Sequence, residues 1–190
     1  MAELRNAFEQ SRNGEVMITH LHGKSGMGKS VLLRTFVEQL REEGSAVCLV
    51  GRCFERESVP YKALDNLIDA LSHYLLQLPR EDVCELLPRE GFQALARLFP
   101  VLKRNMMLLE LTHEQTLAEP RLIRLRAVVA FKELLHRLAL RRPLVLCIDA
   151  FQWGDLDSAR LLAEFLSPPS VPPCCWCSVT ATMKPRGACV

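Results

Sequence analysis

The sequence predicts an α/β fold in three layers, α/β/α, with a mainly parallel central sheet and a helical middle segment. Three observations predict it. Short apolar runs alternate with amphipathic stretches along most of the 190 residues. A glycine-rich octet stands between the first such run and the helix that follows it. A later run, Leu144-Val145-Leu146-Cys147-Ile148-Asp149, is apolar throughout until it ends in a carboxylate, as a parallel strand covered by helices on both faces requires.

Val16-Met17-Ile18-Thr19-His20-Leu21 reads as the first buried strand. The octet Gly23-Lys24-Ser25-Gly26-Met27-Gly28-Lys29-Ser30 fits the pattern G-x-x-x-x-G-K-[S/T] without a mismatch. Ser30 to Arg41 then carries apolar residues at Val31, Leu32, Phe36, Val37 and Leu40, a helical recurrence. Strand, loop and helix in this order form the context in which the octet binds phosphate, so the predicted fold is that of a P-loop NTPase. The glycines let backbone N–H groups turn inward around a phosphate, and the helix N-terminus adds its partial positive charge. Gly23, Lys24, Ser25, Gly26, Met27, Gly28, Lys29 and Ser30 are therefore the candidate nucleotide-binding residues. Lys29 is expected to neutralise the β/γ-phosphates and the Ser30 hydroxyl to ligate Mg²⁺, while Lys24 and Met27 contribute backbone alone.

Ser45 to Val50 reads as the second strand, followed by a polar cluster from Gly51 to Ser58. From Tyr61 to Leu78, apolar residues at Leu64, Leu67, Ile68, Leu71, Leu75 and Leu78 recur at threes and fours, which predicts a core-facing helix with Pro60 placed to open it. Pro79, Pro88 and Pro100 divide residues 79–118 into two or three shorter helices. A long helix is expected from Glu119 to Leu140, with Pro120 in its first turn, Arg141 and Arg142 suiting its C-terminal dipole, and Pro143 as its stop. The all-apolar strand follows. Its terminal Asp149 falls on the sheet edge where the ligands of open α/β sheets bind, and is expected to reach the Mg²⁺ directly or through water. A turn-capping Asp is the alternative at that position; the upstream octet favours the metal. Asp155 or Asp157 caps the helix through Arg160 to Leu166.

Hydrophobic residues make up 49% of the chain and charged residues 24%, a globular composition. The formal net charge of +2 makes no electrostatic case for nucleic acid or an anionic membrane. No apolar run reaches the roughly 18–20 residues of a membrane span, and Met1 to Asn6 has no signal-peptide core, so the expected compartment is the cytoplasm. Cys48, Cys53, Cys84 and Cys147 are scattered along the chain, which predicts free thiols rather than a disulfide framework.

The tract from Ile148 through Asp149-Ala150-Phe151-Gln152-Trp153-Gly154-Asp155 to Ser158 resembles the Walker B signature of the AAA-like signal-transduction ATPases with numerous domains, the Orc1-like or AAA-16-type group. There the strand runs into Asp-Asp-Leu-Gln/His-Trp-Ala/Gly-Asp. Gly51 to Asp65, with Arg52-Cys53-Phe54-Glu55-Arg56-Glu57 and Val59-Pro60-Tyr61, is similar to the segment after the second strand in bacterial members fused to serine/threonine kinases. The resemblance spans residues 3–170. It implies ATP as the nucleotide, Mg²⁺ as its companion, and a sensor strand after the Walker B strand. It further implies a switch whose nucleotide state controls attached or partner domains, so the chain reads as a fragment of a larger multidomain regulatory protein. No guanine-reading tract is evident, and ATP rests on the resemblance alone.

Two departures stand out. Where the resemblance calls for a second acid after Asp149, to polarise the attacking water, this chain has Ala150. A methyl group neither orients water nor accepts its proton, so binding with weak or absent hydrolysis is expected, and no catalytic residue is assigned. Glu55, Glu57 and Asp155 are the acids that could substitute, and nothing in the sequence places them at the γ-phosphate. The second departure is the tail: residues 1–166 read as the nucleotide-binding domain and 167–190 as an irregular segment. Cys174, Cys175, Cys177 and Cys189 cluster there without the paired spacing or histidine of a zinc site. Shifting the codons of Pro173 through Pro185 by one base yields an apolar run for any synonymous choice, and the positions after it can encode Tyr-Arg and acidic residues, a pattern that resembles the sensor strand. On this reading the chain lacks the centre of its own sheet unless Cys175 to Thr180 substitutes. Two other functions compete. A P-loop kinase acting on a small acceptor would need a lid and an acceptor set, for which Arg52, Arg56 and residues 79–118 are the candidates. An Orc1-like DNA-binding ATPase module would use Arg121, Arg124 and Arg126, which read more simply as the solvated face of the long helix.

Overall fold

Four strands form one all-parallel sheet in the order β1-β4-β3-β2: β1 (Met17–Lys24), β2 (Val47–Arg52), β3 (Leu144–Asp149) and β4 (Cys175–Thr182). The computed structural model describes residues 1–55, 60–108, 119–168 and 171–182. Arg56, Glu57 and Cys189, named above, lie outside the described residues. Parallel neighbours need crossovers, and helices supply them: α1 (Ala2–Arg12) precedes the sheet, α2 (Lys29–Glu42) links β1 to β2, and β2 leads into α3 (Lys62–Leu76). The middle of the chain holds α4 (Arg80–Leu86), α5 (Phe92–Leu98), a 3₁₀ turn at Pro100–Leu102, α6 (Lys103–Leu108) and the long α7 (Pro120–Arg141). A 3₁₀ turn at Phe151–Trp153 and α8 (Leu156–Phe165) follow β3.

Alternation along the strands divides the core in two. On one face Val145 and Cys147 of β3, with Cys175, Cys177 and Val179 of β4, pack under Leu4 and Phe8 of α1 and Phe36, Val37 and Leu40 of α2. On the other face Leu144, Leu146, Ile148 and Trp176 pack under α3, α5, α7 and α8, around Leu64, Leu67, Phe131 and Phe165. All six residues of β3 are buried, as its uninterrupted apolar run requires.

The structure corrects the sequence reading at the C-terminal end. Cys175–Thr182, expected to fall in an irregular tail beginning at residue 167, is the strand β4, inserted between β1 and β3. The reason is local: from Cys174 to Val179 every residue is buried and none is Gly or Pro, and small thiols fit a sheet covered by α1 and α2 as well as methyl groups do. Cys175 to Thr180 thus lies at the centre of the sheet, between β1 and β3. One cost remains visible, because among the described residues the buried Trp176 indole N–H has no formed hydrogen bond.

Other boundaries move by a few residues. β1 continues past Leu21 into the first two residues of the octet, and β2 begins at Val47 because left-handed Gly44 and the bond from Ser45 N–H to the Leu40 carbonyl still close α2. α3 begins after Tyr61, one residue later than expected. Gly51 is required by a close approach: a Cβ there would lie 2.9 Å from the Leu67 backbone nitrogen, so β2 and α3 meet backbone to backbone.

Candidate functional site

The octet closes the end of β1 onto the start of α2. Gly26 and Gly28 have φ values of 83° and 81°, and a Cβ on either would touch nothing within 4 Å. Conformation, not space, therefore demands glycine at these two positions. Gly28 is also the N-cap of α2, so no side chain caps the helix, and its first turn holds no acidic residue. The first N–H groups of α2 are left open to solvent with the positive end of the helix dipole behind them. Such a terminus, ringed by a glycine loop, suits an anion with several acceptor oxygens.

Lys29 opens α2 and folds back over the loop, its Nζ donating to the carbonyls of Gly23 at 2.8 Å and Lys24 at 2.7 Å. The cation is thus held over the loop by two carbonyls, with no carboxylate partner among the described residues. Ser30 stands one residue on, and its Oγ donates to Oδ1 of Asp149 at 2.8 Å. The same Oδ1 accepts from the Ala150 N–H at 2.8 Å, while Oδ2 lies 3.9 Å from Nε of Arg52. Residues 119 apart in sequence meet here because β3 ends beside the first turn of α2. A hydroxyl and a largely buried carboxylate in contact, beside the open helix terminus, are an oxygen donor set of the kind Mg²⁺ takes with a phosphate ligand, so the residues present fit that ion. Lys24, Ser25 and Met27 stand exposed on the loop.

Around Asp149 the backbone is unusual. Ala150 has φ 55°, a left-handed conformation that costs a non-glycine residue about 1–2 kcal/mol. It turns the chain sharply into the 3₁₀ segment Phe151–Trp153, and Gln152 Oε1 of that segment accepts the Ala181 N–H of β4 at 3.0 Å. The position where a second acid was expected is therefore a strained methyl-bearing turn.

Of the three candidate substitute acids, Asp155 is not placed as a base. Asp155 is the N-cap of α8: its carboxylate accepts the N–H groups of Ser158 and Tyr61, each at 3.0 Å, and the Ser158 hydroxyl. Burial works against the charged form, but these bonds outweigh it and hold the carboxyl below the usual aspartate range. A carboxylate so occupied is a poor proton acceptor at neutral pH. Glu55 stands in an exposed turn after β2, and Glu57 is not among the described residues.

The buried cysteines behave as apolar fillers. Burial pushes the Cys48 thiol up to about 11 and that of Cys174 up to about 12. Cys175 and Cys177 sit 3.8 Å apart, sulfur to sulfur. The Cys175 thiol is shifted upward by its bond to Cys177 and by burial, and the Cys177 thiol by a bond to Cys147 and by burial, against the lowering effect of Cys175. Of the basic stripe, Arg124 is committed to Glu164 through two hydrogen bonds of 3.2 and 2.6 Å, a tie between α7 and α8. Among the described residues, no helix is long and apolar enough to cross a membrane.

Sequence reasoning named Arg52 only as a residue that could bind an acceptor. Its place beside Asp149 follows from register, since the two are paired across β2 and β3 at the same C-terminal edge. Two strands both ending on polar residues after apolar runs were the available signal.

An AAA ATPase domain profile matches residues 1–177. The match ends inside β4. No curated protein and no solved structure matches the chain.

Proposed function

The chain belongs to the AAA ATPase domain family, and on that premise we propose that it is an ATP-binding regulatory module in which the octet Gly23 to Ser30 holds the phosphates and Ser30 with Asp149 holds Mg²⁺. The observation that carries the reading is the contact of Ser30 Oγ with the Asp149 carboxylate beside an uncapped helix terminus. Mg²⁺ would supply charge neutralisation of the phosphates. The residues of the chain do the rest: the α2 N–H groups bind phosphate oxygens, Lys29 exchanges two carbonyl partners for phosphate, and Asp149 orients the Ser30 hydroxyl.

Hydrolysis is weak or absent on this reading, because Ala150 stands where a water-polarising acid would act and Asp155 is consumed by capping. The product of such a site is a bound state rather than a turnover, which suits a cytoplasmic signalling protein whose other domains read the nucleotide. Thermal unfolding with Mg²⁺ and ATP tests the proposal. At ATP a hundred times the dissociation constant, linkage adds about 2.7 kcal/mol, or roughly 5–10 °C for a domain of this size. A melting temperature unmoved by millimolar Mg²⁺ and ATP would sink it.

A further inference from the structure

Arg52 ends β2 directly beside Asp149, its register partner in β3. Its guanidinium is half exposed and approaches Oδ2 of Asp149 at 3.9 Å, too far for a formed hydrogen bond. The side chain lies over the Phe54 ring at 5.6 Å, while its backbone carbonyl is fixed by Asn66 Nδ2 at 2.7 Å. The stem is thus anchored and the head is loosely held. Arg52, Ser30 and Asp149 line one groove of about 180 Å³, which Arg34, Glu38 and Arg41 also border.

We infer that Arg52 discriminates nucleoside triphosphate from diphosphate at this site, its guanidinium leaving the long contact with Asp149 to take oxygens of the third phosphate. The inference rests on the phosphate-site reading above. Its chemistry is electrostatic. When Asp149 turns its charge to a metal ion, a cation 3.9 Å away loses its counter-charge and gains a like-charged neighbour. Apart from Glu38, which borders the same groove, a compensating anion would be a terminal phosphate, whose oxygens match the planar donors of arginine. A diphosphate offers no such group at that distance from the loop, so Arg52 gains no partner from it. The residue is one of position and specificity; no bond is made or broken by it.

Calorimetric titration of the full chain with ATP and with ADP, each in the presence of Mg²⁺, tests this with Arg52→Gln and Arg52→Lys, both checked for folding by circular dichroism. Arg52→Gln is expected to weaken ATP roughly ten- to a hundredfold, the range of charge-assisted hydrogen bonds, and to leave ADP within about twofold. Arg52→Lys, which keeps the charge and loses the fork, falls between. A merely structural role, holding Asp149, would weaken both nucleotides alike; that result, or an unchanged ATP to ADP ratio in both variants, overturns the inference while the phosphate site stands. If the unsubstituted chain binds neither nucleotide, the site reading fails and this inference falls with it.

Discussion

Replacing Ala150 with aspartate returns an acid to the position after Asp149, and the structure allows its effect to be worked out. The backbone at Ala150 is left-handed at φ 55°, a region where Asp is several times more at home than Ala. The new carboxylate therefore enters without added backbone strain, and the bond from the residue 150 N–H to Asp149 Oδ1 at 2.8 Å is retained. A water-positioning or general-base group contributes about 10²–10⁴ in rate, so single-turnover ATP hydrolysis is expected to rise by that order in Ala150→Asp. Ala150→Gly is the control. It relieves the same strain without an acid and should leave the rate unchanged, with stability within about 1 kcal/mol of the parent. The assay is single-turnover hydrolysis at saturating Mg²⁺ and ATP, with binding measured on the same samples. An Ala150→Asp variant that binds ATP as before and hydrolyses it no faster refutes the argument that the missing acid limits the chemistry.

Asp155→Ala removes the cap of α8 and leaves the Tyr61 and Ser158 N–H groups unpaired, at a cost of about 1–2 kcal/mol in urea unfolding at pH 7. Because the Asp155 carboxyl is held below its unfolded value, that contribution is present above about pH 4 and is lost as pH falls through the folded value; the gap between parent and variant narrows toward pH 3, and a gap independent of pH contradicts the account. Gly51→Ala forces β2 away from α3, since its Cβ would stand 2.9 Å from the Leu67 nitrogen, and a loss of about 1–3 kcal/mol is expected by the same unfolding measurement. Under native conditions a thiol reagent is expected to modify Cys84 ahead of Cys48, Cys147, Cys175 and Cys177, read by mass spectrometry; prompt labelling of Cys177 would place β4 outside the core.

The strand of Leu144 to Asp149 was legible to the residue, because a continuous apolar run bounded by Pro143 and an acid admits one reading. The octet was legible for a similar reason: glycine spacing, Lys29 and Ser30 state their geometry in the pattern itself. Less was visible where the information is long-range. That Ser30 touches Asp149 follows from sheet order, and that Arg52 sits beside the same carboxylate follows from register. Neither is a local property of the chain. Cys175–Thr182 was read as part of an irregular tail because a cysteine cluster after prolines does not resemble an apolar strand, whereas the sheet uses those thiols for volume. The frame-shift reading of this segment is a separate matter, decided by the coding DNA: a stop codon in the shifted frame after Pro173 removes it. The left-handed turn at Ala150 could not be foreseen at all, since alanine carries no preference for it.

The central claim is that this chain holds ATP through the octet and Mg²⁺ through Ser30 and Asp149. Calorimetric titration with ATP, with and without Mg²⁺, for the chain and for Lys29→Ala tests it most directly. The account predicts saturable binding that strengthens with Mg²⁺ and that Lys29→Ala weakens at least about tenfold, the loss expected for a charge-assisted contact. A folded sample that binds no ATP, or a Lys29→Ala variant that binds as tightly as the parent, would contradict it.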